Sequence, residues 1–198
     1  MAKISNRRHL IETAMGLFHN ECFNAITIDT ILAEAGVARM TLYKHFKSKD
    51  ELILAAQRRL DEDFRRWFRG QIDARAKWPE KRLLVIFDVL DDCFDGKAFP
   101  GTRFLGCAYI NRCWRFGKTS SQARHVAAEH NRLMLDYVTR IAEQARADDP
   151  DNLARQLMLL AAGAIVSMYV HCDPDAGRRA KRITADLINA CCAAPVDA

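Results

Sequence analysis

Thr27-Ile28-Asp29-Thr30-Ile31-Leu32-Ala33-Glu34-Ala35-Gly36-Val37-Ala38-Arg39-Met40-Thr41-Leu42-Tyr43-Lys44-His45-Phe46-Lys47-Ser48-Lys49-Asp50-Glu51-Leu52 is the stretch that decides the fold. Thr27 stands as an N-cap before a short helix carrying Ile28, Ile31 and Leu32, and Gly36 ends that helix where a positive φ is wanted. A second short helix, about 39–45, follows after only Val37 and Ala38. Two short helices joined this tightly fit a helix-turn-helix, with Gly36 allowing the turn and Val37 plugging the angle. In the second helix Leu42 points inward while Arg39, Thr41, Tyr43, Lys44 and His45 point largely outward. Such side chains suit phosphates and base edges in a major groove. Ser48 and Glu51 form a capping box, Ser48 accepting from the Glu51 amide and Glu51 reaching back to Ser48. Lys47 and Lys49 stand beside the N-terminus of the next helix, where charge and free amides together attract phosphate.

The pattern outside this stretch is helical throughout. Leu10, Ala14, Leu17 and Phe18 stripe a first helix over roughly 5–21. After Ser48 a long helix carries Leu52, Ala56, Leu60, Phe64, Trp67 and Phe68. Pro79 suits the first turn of a helix over about 79–94, striped by Leu84, Phe87, Leu90 and Phe94. Gly96, Pro100 and Gly101 make a loop, and helices over about 103–116 and 120–147 follow. Asp148-Asp149-Pro150 breaks the chain before an almost wholly apolar helix, Leu153 to Cys172. A last helix runs from Asp173-Pro174-Asp175 to about Cys192, with a frayed tail beyond. The reading is all-α: about nine helices, no strand and no internal repeat, with a domain boundary between residues 48 and 49.

Composition sets the class. Of 198 residues 49% are apolar and 28% charged, an ordinary globular balance, and nine glycines with five prolines exclude collagen-like and proline-rich chains. Net charge is +5, which suits a polyanion without demanding one. Residues 1–50 carry seven basic against five acidic side chains, so bulk charge does not mark a nucleic-acid face. Clustering does: Arg39 to Lys49 holds four basic residues and no acid. The N-terminus reads as no export signal, because His9, Glu12 and His19 break any apolar core. The near-apolar run Leu157 to Val170 is short of a bilayer span and reads as a buried or subunit-facing helix. Seven cysteines, an odd number, are expected as reduced thiols in a cytoplasmic protein.

The segment Leu42-Tyr43-Lys44-His45-Phe46-Lys47-Ser48-Lys49-Asp50-Glu51-Leu52, with Thr27-Ile28-Asp29 and Gly36-Val37 before it, closely resembles the N-terminal DNA-binding domain of TetR-family transcriptional regulators. The resemblance covers about residues 5–55, and Gly106-Cys107-Ala108-Tyr109-Ile110-Asn111 is similar to a segment of one TetR subgroup. It implies that residues 1–48 form a three-helix DNA-binding domain and 49–198 a ligand-binding and dimerisation domain. On this sequence it implies Arg39 and Met40 near base edges, and Thr41, Tyr43, Lys44 and His45 shared between bases and phosphates. It implies backbone-phosphate contacts from Thr27 and Lys49. Two residues depart from the usual pattern: Ala38 replaces a common Ser cap, and Met40 a common small residue. The implied activity is that of a repressor of double-stranded operator DNA, released by a small-molecule effector.

Two recognition helices one DNA turn apart require a dimer on a pseudo-palindrome. The last two helices, about 153–192, are the expected interface, since an all-round apolar helix has one side for its own core and one for a partner. A fully buried core helix in a monomer is the alternative. Candidate effector contacts are Trp67, Phe87, Phe104, Tyr109, Asn111, Trp114 and Tyr169, although for any single one core packing is the commoner role, since aromatics dominate ordinary cores. Arg103, Arg112, Arg115 and Lys118 form an acid-free basic stretch that would meet an anionic ligand or solvent. No cysteine or histidine spacing matches a zinc site, so no metal and no cofactor is expected. Cys191 and Cys192 are the thiols placed to oxidise, which leaves a redox-responsive regulator as one alternative. A cofactor-free helical enzyme is another, although no P-loop, GxGxxG, GxSxG or HExxH occurs.

Overall fold

The computed structural model describes residues 5–20, 26–97 and 121–192. Within them the chain forms eight α-helices and no strand. These are α1 (Asn6–Asn20), α2 (Ile28–Ala35), α3 (Arg39–His45), α4 (Lys49–Arg75), α5 (Pro79–Phe94), α6 (Ser121–Gln144), α7 (Pro150–His171) and α8 (Ala176–Cys191). The helix expected over 103–116 lies outside the described residues. The chain divides into two compact units, Met1–Phe64 and Arg65–Ala198. The first half of α4 therefore belongs to the N-terminal unit by packing, further along the chain than the boundary drawn after residue 48.

In the N-terminal unit α1, α2, α3 and the start of α4 share one core of Leu10, Ala14, Ile26, Ile31, Leu42, Phe46, Leu52 and Ala56. Ser5 starts α1 by accepting from the Arg8 amide (3.3 Å). The His9 Nε2 lies 2.9 Å from the Ala35 carbonyl. A carbonyl only accepts, so Nε2 carries the proton, and the bond ties α1 to the last turn of α2. That turn ends as expected. Gly36 sits at φ 62 and ψ 32, the Val37 amide donates to Leu32 and the Gly36 amide to Ala33, both at 3.3 Å. These two bonds satisfy carbonyls that the helix end leaves open, and Val37 packs half-buried against the core.

In the C-terminal unit α5 packs on α8, α6 on α7 and α7 on α8, with α5 also against α6. The α5 carboxylate of Asp88 receives both close contacts of Lys181 from α8, at 2.6 and 2.7 Å. Gly177 in the first turn of α8 allows a tighter approach: a Cβ there would lie 1.8 Å from Asp91 Oδ1. At the far end of α8, the Asp148 amide donates to the Cys191 carbonyl (2.8 Å) beside an isolated antiparallel bridge between Ala147 and Cys192.

Two helix ends differ from the sequence reading. α6 stops at Gln144, and Arg146 takes the left-handed conformation (φ 55) in which the Ala147 amide bonds Ala142 and the Arg146 amide bonds Glu143. No glycine announces that end. α7 begins at Pro150 rather than Leu153, because the proline needs no acceptor at the first helical position and Asp149 caps the Asn152 amide at 3.0 Å. At 22 residues α7 is long and apolar enough to cross a bilayer, which the 14-residue run read from sequence was not. It packs between α6 and α8, both of which carry exposed arginines, so it belongs to the helical layer.

Candidate nucleic-acid interface

Helix α3 has seven residues and only one, Leu42, is buried. Successive side chains turn by about 100°. With Leu42 fixed inward, Met40 and Lys44 lie opposite it, Tyr43 and Thr41 fall on the two flanks, and Arg39 and His45 stand about 60° to either side of Leu42. Arg39, Met40, Tyr43 and Lys44 are exposed, and Thr41 and His45 are half-buried. Met40 is 80% exposed and Tyr43 46%. An exposed methionine beside an exposed tyrosine gives the face apolar contact area between two cations, and no described side chain of the unit covers it. Ala38 leaves the α3 N-terminus without a side-chain cap, as its sequence predicts, and its carbonyl accepts from the Thr41 amide at 2.9 Å.

Beyond α3, Phe46 is buried and carries the Arg7 guanidinium over its ring, 5.2 Å from the centroid. A cation from α1 thereby stands beside the end of α3. Thr27 is exposed, and its Oγ1 accepts from the Thr30 amide at 3.0 Å and lies 2.8 Å from Thr30 Oγ1. When Thr30 donates, the Thr27 hydroxyl hydrogen is free for a phosphate oxygen. Lys49, half-buried, opens α4, and Ser48 accepts from the Glu51 amide at 3.2 Å. The second arm of this cap differs from the expectation. Glu51 reaches past Ser48 to the Lys47 amide at 2.6 Å, so a carboxylate closes the N-terminus of α4.

One partner was not legible from sequence. Arg39 pairs with Asp29 across the turn, both side chains more than half exposed. The spacing of ten residues carries no signal by itself; Gly36 folds α3 back until the first turn of α2 lies beside it. Exposed pairs of this kind are weak and salt-sensitive, so Arg39 is held in place without being removed from use.

The expected effector contacts do not converge among the described residues. Trp67 on α4 is half-buried, Phe87 on α5 is fully buried, and Tyr169 on α7 is 52% exposed. Tyr169 shares its exposure with Leu159, Val166 and Val170 on the same helix. Phe104, Tyr109, Asn111 and Trp114 lie outside the described residues, as do Arg103, Arg112, Arg115 and Lys118. Among the described cysteines, burial pushes the Cys93 thiol up to about 12. Cys192 is pushed up to about 11, first by burial and then by Cys191 beside it. Both shifts hold the thiol protonated, and Cys172 is the exposed one, not the Cys191–Cys192 pair. Among the described residues no three His, Cys, Asp or Glu side chains are grouped to hold a metal ion.

A helix-turn-helix whose second helix turns an uncovered basic and aromatic face to solvent defines a DNA-binding protein. Residues 10–56 match the family model for bacterial regulatory proteins of the tetR family. The match places a tetR-family DNA-binding domain over that N-terminal segment of the chain. The HTH-type transcriptional regulator YjdC of Escherichia coli is 19% identical over 92% of this chain and 93% of its own. The HTH-type transcriptional repressor ComR of the same organism is 26% identical over 75% of this chain and 70% of its own. Among solved structures, a TetR-family regulator from Streptomyces coelicolor superposes with a TM-score of 0.74 at 25% identity, covering 94% of this chain and 96% of that one.

Proposed function

We propose that the protein is a cytoplasmic, homodimeric repressor that binds a pseudo-palindromic operator and leaves it when a small molecule binds. The observation that carries the DNA reading is the α3 face, with Met40 80% exposed on a helix anchored by a single buried leucine. Arg39, Met40, Tyr43 and Lys44 then meet base edges, Thr41 and His45 flank them, and Thr27 and Lys49 hold phosphates at two helix N-termini. Met40 is suited to a thymine methyl. The dimer reading rests on α7 and α8, where Leu159, Val166, Tyr169, Val170 and Ile183 are exposed apolar side chains within 153–192. Tyr169 fits that surface better than an effector pocket. A ligand relieves repression by favouring the state with the wrong spacing of reading heads. Its contacts are proposed at Trp67 and Phe87, with Phe104, Tyr109, Asn111 and Trp114. The name of ComR supports repression over activation.

The test is fluorescence anisotropy on DNA from upstream of the protein's own gene against scrambled DNA, across a salt series, with sedimentation equilibrium on the same samples. Specific, salt-steep binding by a dimer is the expected result. Equal weak binding to both DNAs, followed by a random-sequence selection that enriches no palindrome, would overturn the reading.

A further inference from the structure

The C-terminal unit carries a cleft of about 460 Å³ whose described lining includes neither Trp67 nor Phe87. That volume lies within the ligand-pocket range of about 300–1,000 Å³. Its walls come from the last turn of α4, the turn into α5, α5 itself and α8. Four cations line it, Arg75, Lys77, Lys81 and Lys181, against one carboxylate, Asp88. Two of the four are fixed. Arg75 is held by Asp92 at 2.6 Å, and Lys181 by Asp88. Lys77 and Lys81 are exposed and make no ion pair among the described residues. Ala76, Leu84 and Val85 give the cleft an apolar floor, and Trp78 stands at its edge 67% exposed.

An exposed tryptophan beside two unneutralised ammonium groups, over an apolar floor, matches one kind of molecule. We infer that this cleft binds a small planar anion, an aromatic ring bearing a carboxylate or sulfonate, with the ring against Trp78 and the floor and the acid between Lys77 and Lys81. Each half answers a feature of the cleft: the ring covers the indole face and the anion meets the excess charge. The inference does not rest on the effector contacts proposed above.

The probe is 8-anilinonaphthalene-1-sulfonate, read by emission sensitised from tryptophan in the full-length protein. Its neutral counterpart, N-phenyl-1-naphthylamine, serves as control. The variants are Trp78→Ala and the double charge reversal Lys77→Glu with Lys81→Glu, all at exposed positions, with thermal melts to establish folding. Saturable sulfonate binding is expected, displaced by benzoate but not by benzamide. The charge reversal weakens it about tenfold, since each exposed charge contributes only a fraction of that. Trp78→Ala weakens both probes, and the neutral probe is indifferent to the charge reversal. Sulfonate binding unchanged in both variants, or lost in step with the neutral probe on charge reversal, overturns the proposal.

Discussion

Leu42→Ala and Tyr43→Ala, neighbours on one short helix, separate what holds the reading head together from what it presents. Leu42 is fully buried and is the only buried residue of α3. Truncation removes three carbons from the core, about 2.4 kcal/mol at about 0.8 kcal/mol per buried methylene. The cavity left behind brings the total to about 3–5 kcal/mol. That is a large share of the roughly 5–15 kcal/mol that holds a domain. For a chain of this length each kcal/mol lowers the midpoint by roughly 2–4 °C, so a fall of roughly 6–20 °C is expected by circular dichroism. Tyr43 is 46% exposed, and its truncation should shift the melt by no more than about 1 kcal/mol. Operator affinity behaves oppositely at a temperature where both variants are folded. Tyr43→Ala costs about 1–3 kcal/mol of binding, and Leu42→Ala costs less per folded molecule. A Tyr43→Ala protein that melts as low as Leu42→Ala, or that binds operator as wild type does, would refute the assignment of the two faces.

Gly36→Val puts a β-branched residue at φ 62, and unfolding in urea should show a loss of about 1–3 kcal/mol; a midpoint equal to wild type would mean the turn has another way to close. Gly177→Ala should destabilise because its Cβ would meet Asp91, and Asp91→Ala in the same chain should restore most of the loss, a coupling of about 0.5–3 kcal/mol that additive midpoints would disprove. Burial, and then the Arg65 charge, lower the His130 pKa to about 4. Unfolded chains take up a proton there between about pH 6.5 and 4 while the folded state does not, so stability present at neutral pH is lost across that window, on the order of 2–3 kcal/mol. His130→Gln should flatten that part of the pH–midpoint curve, and a curve parallel to wild type would remove His130 as its source.

Much of this architecture is legible in the sequence because local rules agree with the packing. The spacing of Ile31, Leu32, Gly36 and Leu42 specifies a turn, a plug and an anchor, and Gly36 adopts the left-handed conformation its position demands. Where two local rules compete, the sequence alone does not decide. Asp149-Pro150 is equally a break and a helix start, and only the Asn152 amide arriving at the Asp149 carboxylate resolves it as a start. Arg146 ends α6 without a glycine, because the bonds to Ala142 and Glu143 impose a conformation that composition disfavours. Tyr169 illustrates a different limit. On a helix apolar nearly all round, periodicity does not distinguish the side facing its own core from the side left open.

The same limit applies to charge. Along the chain Arg39 to Lys49 contains no acid, which makes the face look more strongly cationic than it is. Folding brings Asp29 to Arg39 and Glu51 to the Lys47 amide, so two carboxylates from neighbouring turns stand among the basic groups. Each has a structural task there, one orienting a guanidinium and the other closing the N-terminus of α4, and each lowers the attraction for phosphate. A face moderated in this way discriminates less by charge and more by shape and contact. That returns weight to the side chains no acid accompanies. Met40 and Tyr43, exposed beside Lys44, are the side chains we propose to read the sequence of an operator.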